Sequence, residues 1–133
     1  MIHAVLLIIE RDGKVLFGKR TKQRESIPNR WSLPSEKVEG DDSMESAVRR
    51  CADNELGVVV NDIVEFEVFH YNDGIEDKVL RFLKIDVEGE PFLNNLKELS
   101  ELKWMSFEEF FGMYEDSEIG HGLQYLRKKL ELD

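Results

Sequence analysis

At 133 residues, 41% of them hydrophobic and 35% charged, the chain predicts one folded α/β (α+β) domain over 1–133 and excludes a disordered one. Its longest apolar run, residues 4–9, is far short of the ~20 that a membrane helix needs, so no membrane association is expected. The net charge of −10 argues against a nucleic-acid polymer as partner, and a lone Cys51 with no basic leader points to the cytoplasm.

In chain order, residues 2–10 predict a buried strand, Arg11-Asp12-Gly13-Lys14 a turn, and residues 15–20 the return strand, because Asp-Gly is a short hairpin signal. Residues 21–30 are polar and contain Pro28, as exposed loops do. Residues 31–34 form a short extended piece, since the residue before Pro34 is pushed away from helix. A helix is expected over 43–56, with Asp42 and Glu45 as its capping box and Gly57 as its stop. Residues 63–71 and 78–87 are β-branched and aromatic, and Asn72-Asp73-Gly74 joins them as a hairpin. A strand over 102–106 and amphipathic helices over 107–113 and 118–132 complete the order, which predicts a mixed sheet covered by helices.

Charge is unevenly distributed. Between Lys14 and Lys37 lie seven basic residues and two acidic ones, which suits either a small phosphorylated ligand or a solvated loop. Arg20 and Lys37 are the candidate phosphate contacts: a guanidinium grips phosphate bidentately, while an ammonium acts as a point charge. Phe69, Tyr71 and Trp31 are candidates for stacking on a base or for the core. His3, His70 and His121 show no ligand spacing and receive no role.

Asp42, Arg50, Glu55, Gly57 and Val58 keep a gap-free spacing, led in by Trp31-Ser32-Leu33-Pro34. This segment resembles the Nudix box, the signature of metal-dependent pyrophosphohydrolases. The pattern is Gly, five residues, Glu, seven residues, Arg-Glu, apolar, any, Glu-Glu, any, Gly, apolar. Glu36 stands at the first Gly, Asp42 at the first Glu, Cys51 at the Glu after Arg50, and Asn54 at the first of the Glu pair. Positions 51, 54 and 55 are i, i+3 and i+4 on one helix face, where clustered carboxylates hold hard cations. Here that face offers a thiol, an amide and one charge.

The resemblance implies an α/β/α sandwich with a central mixed β-sheet. It implies Mg²⁺- or Mn²⁺-dependent hydrolysis of nucleoside diphosphates linked to another moiety. Glu55 and Arg50 would be catalytic, with Glu55, Glu98 and Glu36 as metal ligands and Asp42 and Gly57 as motif scaffold. The partner would be a small nucleotide or nucleotide-sugar; a homodimer stays open.

Two further readings remain. The helix pattern also resembles the GDP-mannose mannosyl hydrolase branch, which keeps the last Glu, although Leu99 stands where that branch has a His base. The lost carboxylates equally suit a nucleotide- or protein-binding module without turnover. The isopentenyl-diphosphate isomerase branch is excluded, because residues 32–38 hold neither the Cys nor the His it requires.

Overall fold

A computed structural model describes residues 1–24 and 27–132. Residues 2–10, expected as one strand, form two: β1 (Ile2–Ile8) and β2 (Glu10–Arg11). The chain leaves one sheet at Ile9 and enters another. The first sheet has the order β5-β1-β7-β6, built with β5 (Ser35–Lys37), β6 (Val59–Asn72) and β7 (Asp77–Glu88). β1 pairs parallel with β7 and antiparallel with β5, so this sheet is mixed, as expected. In the second sheet, β3 (Lys14–Arg20) carries β8 (Leu99–Met105) on one edge, while β2 and β4 (Trp31–Ser32) share the other. The β2–β3 turn takes positive φ at Asp12 (52°) and Gly13 (78°), as the Asp-Gly pair predicts.

β1 is apolar from Ala4 onward, and residues 5–8 are buried because both faces of this half are covered. Val5, Leu7 and Ile9 pack with Ala47, Val48, Cys51, Ala52 and Leu56 of α1 (Met44–Leu56). Leu6 and Ile8 pack with Phe110 and Phe111 of α2 (Phe107–Met113) and with Leu123 and Leu126 of α3 (His121–Lys129). Helices therefore flank the sheets, which is the expected sandwich. Among the described residues, no helix is long and apolar enough to cross a membrane.

Helix ends differ from expectation at the start of α1 and at both ends of α3, which stops at Lys129, three residues short of the expected 132. Ser43, not Asp42, caps α1: its Oγ accepts from Ser46 N at 3.0 Å, because the Asp42 carboxylate is engaged by Arg50. The last helix begins three residues later than predicted. Residues 116–118 form a 3-10 turn, and Ile119 then bridges to Trp31 while Gly120 N donates to the Trp31 carbonyl at 2.9 Å. Gly57 does stop α1, at φ 63°, and a side chain there would collide with the Phe92 ring.

Candidate active site

The face of the first sheet turned away from α1 is only partly covered. A cleft of about 760 Å³ runs across it, floored by Ile2, Ala4, Leu6 and Leu80. On the β5 side the wall carries Arg20, Arg24, Glu36, Lys37 and Glu98; on the β6 side it carries Tyr71, Lys78 and His121. One side is densely charged and the other mostly aromatic and basic, with aliphatic surface between.

The charged side is assembled from four segments. The end of β3 supplies Arg20 and the following loop supplies Arg24. β5 supplies Glu36 and Lys37, and the turn before β8 supplies Glu98. Thr21 ties the loops together: its N donates to Glu98 O at 3.1 Å and its Oγ1 to Lys97 O at 2.8 Å. α1 does not line the cleft, but its Arg50 reaches Glu36 and its Glu55 is coupled to Arg24, Glu36, Glu98 and Arg20.

Glu55 is 2% exposed, and its Oε1 is buried without a hydrogen-bond partner. Burial pushes its carboxyl up to about 8; Arg24 and Arg20 pull it down, while Glu36 and Glu98 push it further up. Arg20 is buried too, with Nε donating to Ile27 O at 3.1 Å and NH1 to Ser35 Oγ at 3.4 Å. Burial, then the neighbouring Arg24, lowers it to about 10, so it stays a cation at neutral pH. Arg24 Nε lies 3.1 Å from Glu98 Oε2. Glu36 is raised by its own burial, against the opposing pull of Arg50.

Arg50 works as a brace. Its NH2 meets Asp42 Oδ2 at 2.7 Å and donates to Lys37 O at 3.1 Å, and its Nε lies 3.8 Å from Glu36 Oε2. The hydrogen bond from Arg50 holds the Asp42 carboxyl below its ordinary range. The pair fastens the β5–α1 loop to the helix. Arg50 itself is largely exposed, as is Lys37 at the rim.

The i, i+3, i+4 face of α1 splits in three dimensions. Cys51 and Glu55 point into the protein, and burial raises the Cys51 thiol well above its usual value. Asn54 instead lies at the surface, where its Oδ1 accepts from Asn95 Nδ2 at 3.1 Å. A buried neutral thiol is no ligand for a hard cation, and Asn54 is engaged elsewhere. Among the described residues, no three acidic, His or Cys side chains converge as a metal shell. The donors nonetheless fit one hard cation in kind: Glu55 offers an unpartnered buried oxygen, and Glu36 and Glu98 are close enough to perturb it. As arranged, Arg50 and Arg24 hold those two carboxylates.

The expected residues Arg20, Glu36, Glu55 and Glu98 therefore come together, Lys37 lies at their rim, and Asp42, Arg50 and Gly57 sit in the scaffold behind. Trp31 is a core residue, and Phe69 stacks on Tyr125 at 4.2 Å, so neither faces the cleft. Sequence reasoning missed Arg24 and His121. Arg24 lies in a loop with no periodicity, and His121 gains meaning only when the start of α3 meets β6. There Tyr71 Oη and His121 Nδ1 lie 3.3 Å apart, and burial lowers the imidazole below its ordinary value.

With this geometry in place, the chain is found to belong to a known family: the NUDIX domain matches residues 1–125. A CTP pyrophosphohydrolase of Escherichia coli (strain K12) is 41% identical over 58 residues, covering 44% of this chain and 42% of that protein. The match thus spans less than half the length of that relative. A MutT NUDIX hydrolase from Burkholderia pseudomallei superposes with a TM-score of 0.78 at 24% identity, over 93% of both chains, which shows the shared fold. The ORF135 protein of E. coli gives 0.71 at 28% identity, over 84% of this chain and 78% of that one.

Proposed function

We propose that the chain is a Mg²⁺- or Mn²⁺-dependent hydrolase that cleaves a phosphoanhydride of a nucleoside diphosphate linked to another group. The observation that carries this reading is Glu55: a carboxyl 2% exposed, with an unpartnered oxygen, within electrostatic reach of Arg20, Arg24, Glu36 and Glu98, which line the cleft wall. A fold rarely buries such a group for stability alone, and perturbed carboxylates beside clefts concentrate at functional sites. The likeness to a CTP pyrophosphohydrolase supports the same substrate class.

Glu55, with Glu36 and Glu98, would hold the cation. A divalent cation there would neutralise diphosphate charge and would make water a better nucleophile. The chain's own residues do the rest. Burial holds a proton on the Glu55 carboxyl near neutral pH, and ligation of a cation would require that proton to pass to solvent. Arg20, locked by Ile27 and Ser35, orients a phosphate, and Arg50 with Asp42 fixes the helix that presents Glu55.

The test is a panel of nucleoside triphosphates, nucleoside diphosphate sugars and dinucleoside polyphosphates, assayed with Mg²⁺ and Mn²⁺. Glu55→Gln should lower kcat/KM at least about tenfold, or about 1.4 kcal/mol of barrier. Unchanged turnover at low and saturating metal would overturn the assignment.

The burial of Cys51 and the outward turn of Asn54 favour a second reading, a nucleotide-binding module that takes a cation but does not turn over. In the same panel it gives binding without product. A GDP-sugar hydrolase of the mannosyl type has less support, since Leu99 is a core residue packed against Gly18.

A further inference from the structure

Arg24 stands at the centre of the charged side of the cleft, although no motif residue marks it. Its Nε lies 3.1 Å from Glu98 Oε2, and its NH1 reaches Glu98 O at 3.5 Å. The same guanidinium is felt by Glu55, Glu36, Cys51 and Arg20. One side chain thus supplies positive charge to every acid on this side of the cleft. Its own side chain is 18% exposed and that of Glu98 35%, so the pair is only partly screened by water.

A guanidinium and a divalent cation cannot share one carboxylate cluster cheaply. At a separation of about 5 Å, even an effective dielectric of about 20 makes their repulsion several kcal/mol. We propose that Arg24 is the resting occupant of the cation site, holding Glu98 until a divalent cation takes the carboxylates, and that the displaced guanidinium then pairs with the phosphate oxygens of the substrate.

The exchange follows from valence and position. Without a cation, Glu36 and Glu98 would repel one another, and Arg24 offsets that repulsion while Glu55 keeps its proton. With a cation bound, Arg24 loses its electrostatic reason to stay. It already lines the cleft beside Arg20, so a diphosphate entering there meets a second fork capable of bidentate hydrogen bonds. Site and substrate charge are then balanced by one movement of the Arg24 side chain from Glu98 to the phosphate.

The inference rests on the metal-dependent reading above, and its test separates the two. Calorimetry of Mn²⁺ binding to the full chain compares wild type, Arg24→Gln, Arg24→Lys and Glu55→Gln. Binding of imidodiphosphate, an uncleavable pyrophosphate analogue, is then measured in saturating Mg²⁺. Arg24→Gln should bind Mn²⁺ at least about fivefold more tightly and imidodiphosphate at least about fivefold more weakly. Arg24→Lys keeps the charge and should hold Mn²⁺ affinity near wild type, while losing part of the anion affinity. The Thr21 hydrogen bonds to Lys97 and Glu98 do not involve the Arg24 side chain, so the two loops stay joined in these variants. A structural role alone would lower both affinities together, and that outcome overturns the exchange, as does unchanged Mn²⁺ affinity in Arg24→Gln. Failure of the metal reading looks different: Glu55→Gln would then bind Mn²⁺ as wild type does.

Discussion

Glu55 is where a single residue sets a property of the whole chain. A carboxyl raised from 4.5 to about 8 binds a proton in the folded state that the unfolded state has released. Between those two values the native state holds more protons, so stability falls as pH rises. His121 acts with the opposite sign below about pH 6.5, because its folded pKa is depressed and its proton is lost on folding. Between about pH 6.5 and 8 the opposing His121 contribution is complete and the fall is carried by Glu55, in the same direction as any part carried by Glu36, which burial also raises. In EDTA the melting temperature should drop across that window, and Glu55→Gln should remove most of the drop, a gain on the order of 2–4 kcal/mol at pH 8. Thermal melts of both proteins at several pH values decide it; parallel curves would show that Glu55 is not a buried titrating group. The polar neighbours Asp53 and Asn54 give no sign in sequence that Glu55 is enclosed. Its burial makes it a titrating group with a large effect on stability.

At the scale of the element, α1 shows why spacing is not orientation. Positions 51, 54 and 55 share an arc of roughly 100° on a helix of 3.6 residues per turn. The boundary between core and surface falls inside that arc: Cys51 and Glu55 lie on one side and Asn54 on the other. Placing a carboxylate at each position should therefore give unequal results. Asn54→Glu exchanges one surface contact to Asn95 for another and should change stability by no more than about 0.5 kcal/mol. Cys51→Glu forces a longer, ionisable side chain into the core beside Glu55 and should cost at least about 3 kcal/mol without metal. Urea denaturation in EDTA measures both, and equal small costs would mean that Cys51 is not in the core. Much of α1 was legible in the sequence, because its stop at Gly57 is forced by a left-handed backbone and its interior by periodicity. Its start was not, since Asp42 and Ser43 are both good caps and only the reach of Arg50 decides between them. The late start of α3 was hidden for the same kind of reason, a contact between Gly120 and Trp31 some ninety residues apart.

For the molecule as a whole, β1 and β2 thread the N-terminal segment through both sheets, and the second half of β1 is buried on both faces. The unbroken apolar run over 4–9 announced that burial but not the change of sheet at Ile9, because a strand and a bent strand have the same hydropathy. The charged side of the cleft was partly legible, through Glu36 and Lys37 inside the motif segment and through Arg20 and Glu98 outside it. The opposite side was not, because Tyr71, Lys78 and His121 meet only through pairing of β6 with β7 and the return of α3. Cys51 has a practical consequence in this setting. It is the one thiol in the chain, fully enclosed between α1 and β1, and its protonated form is inert to thiol reagents. Modification by a disulfide reagent must await opening of that enclosure, so the native protein carries an intrinsic clock for its slowest breathing motion. Labelling under native conditions should be slow and single-exponential, and saturating Mg²⁺ should slow it further if a cation clamps α1 to the loops around it. Rapid labelling, indifferent to Mg²⁺, would mean that the helix lifts from the sheet on its own.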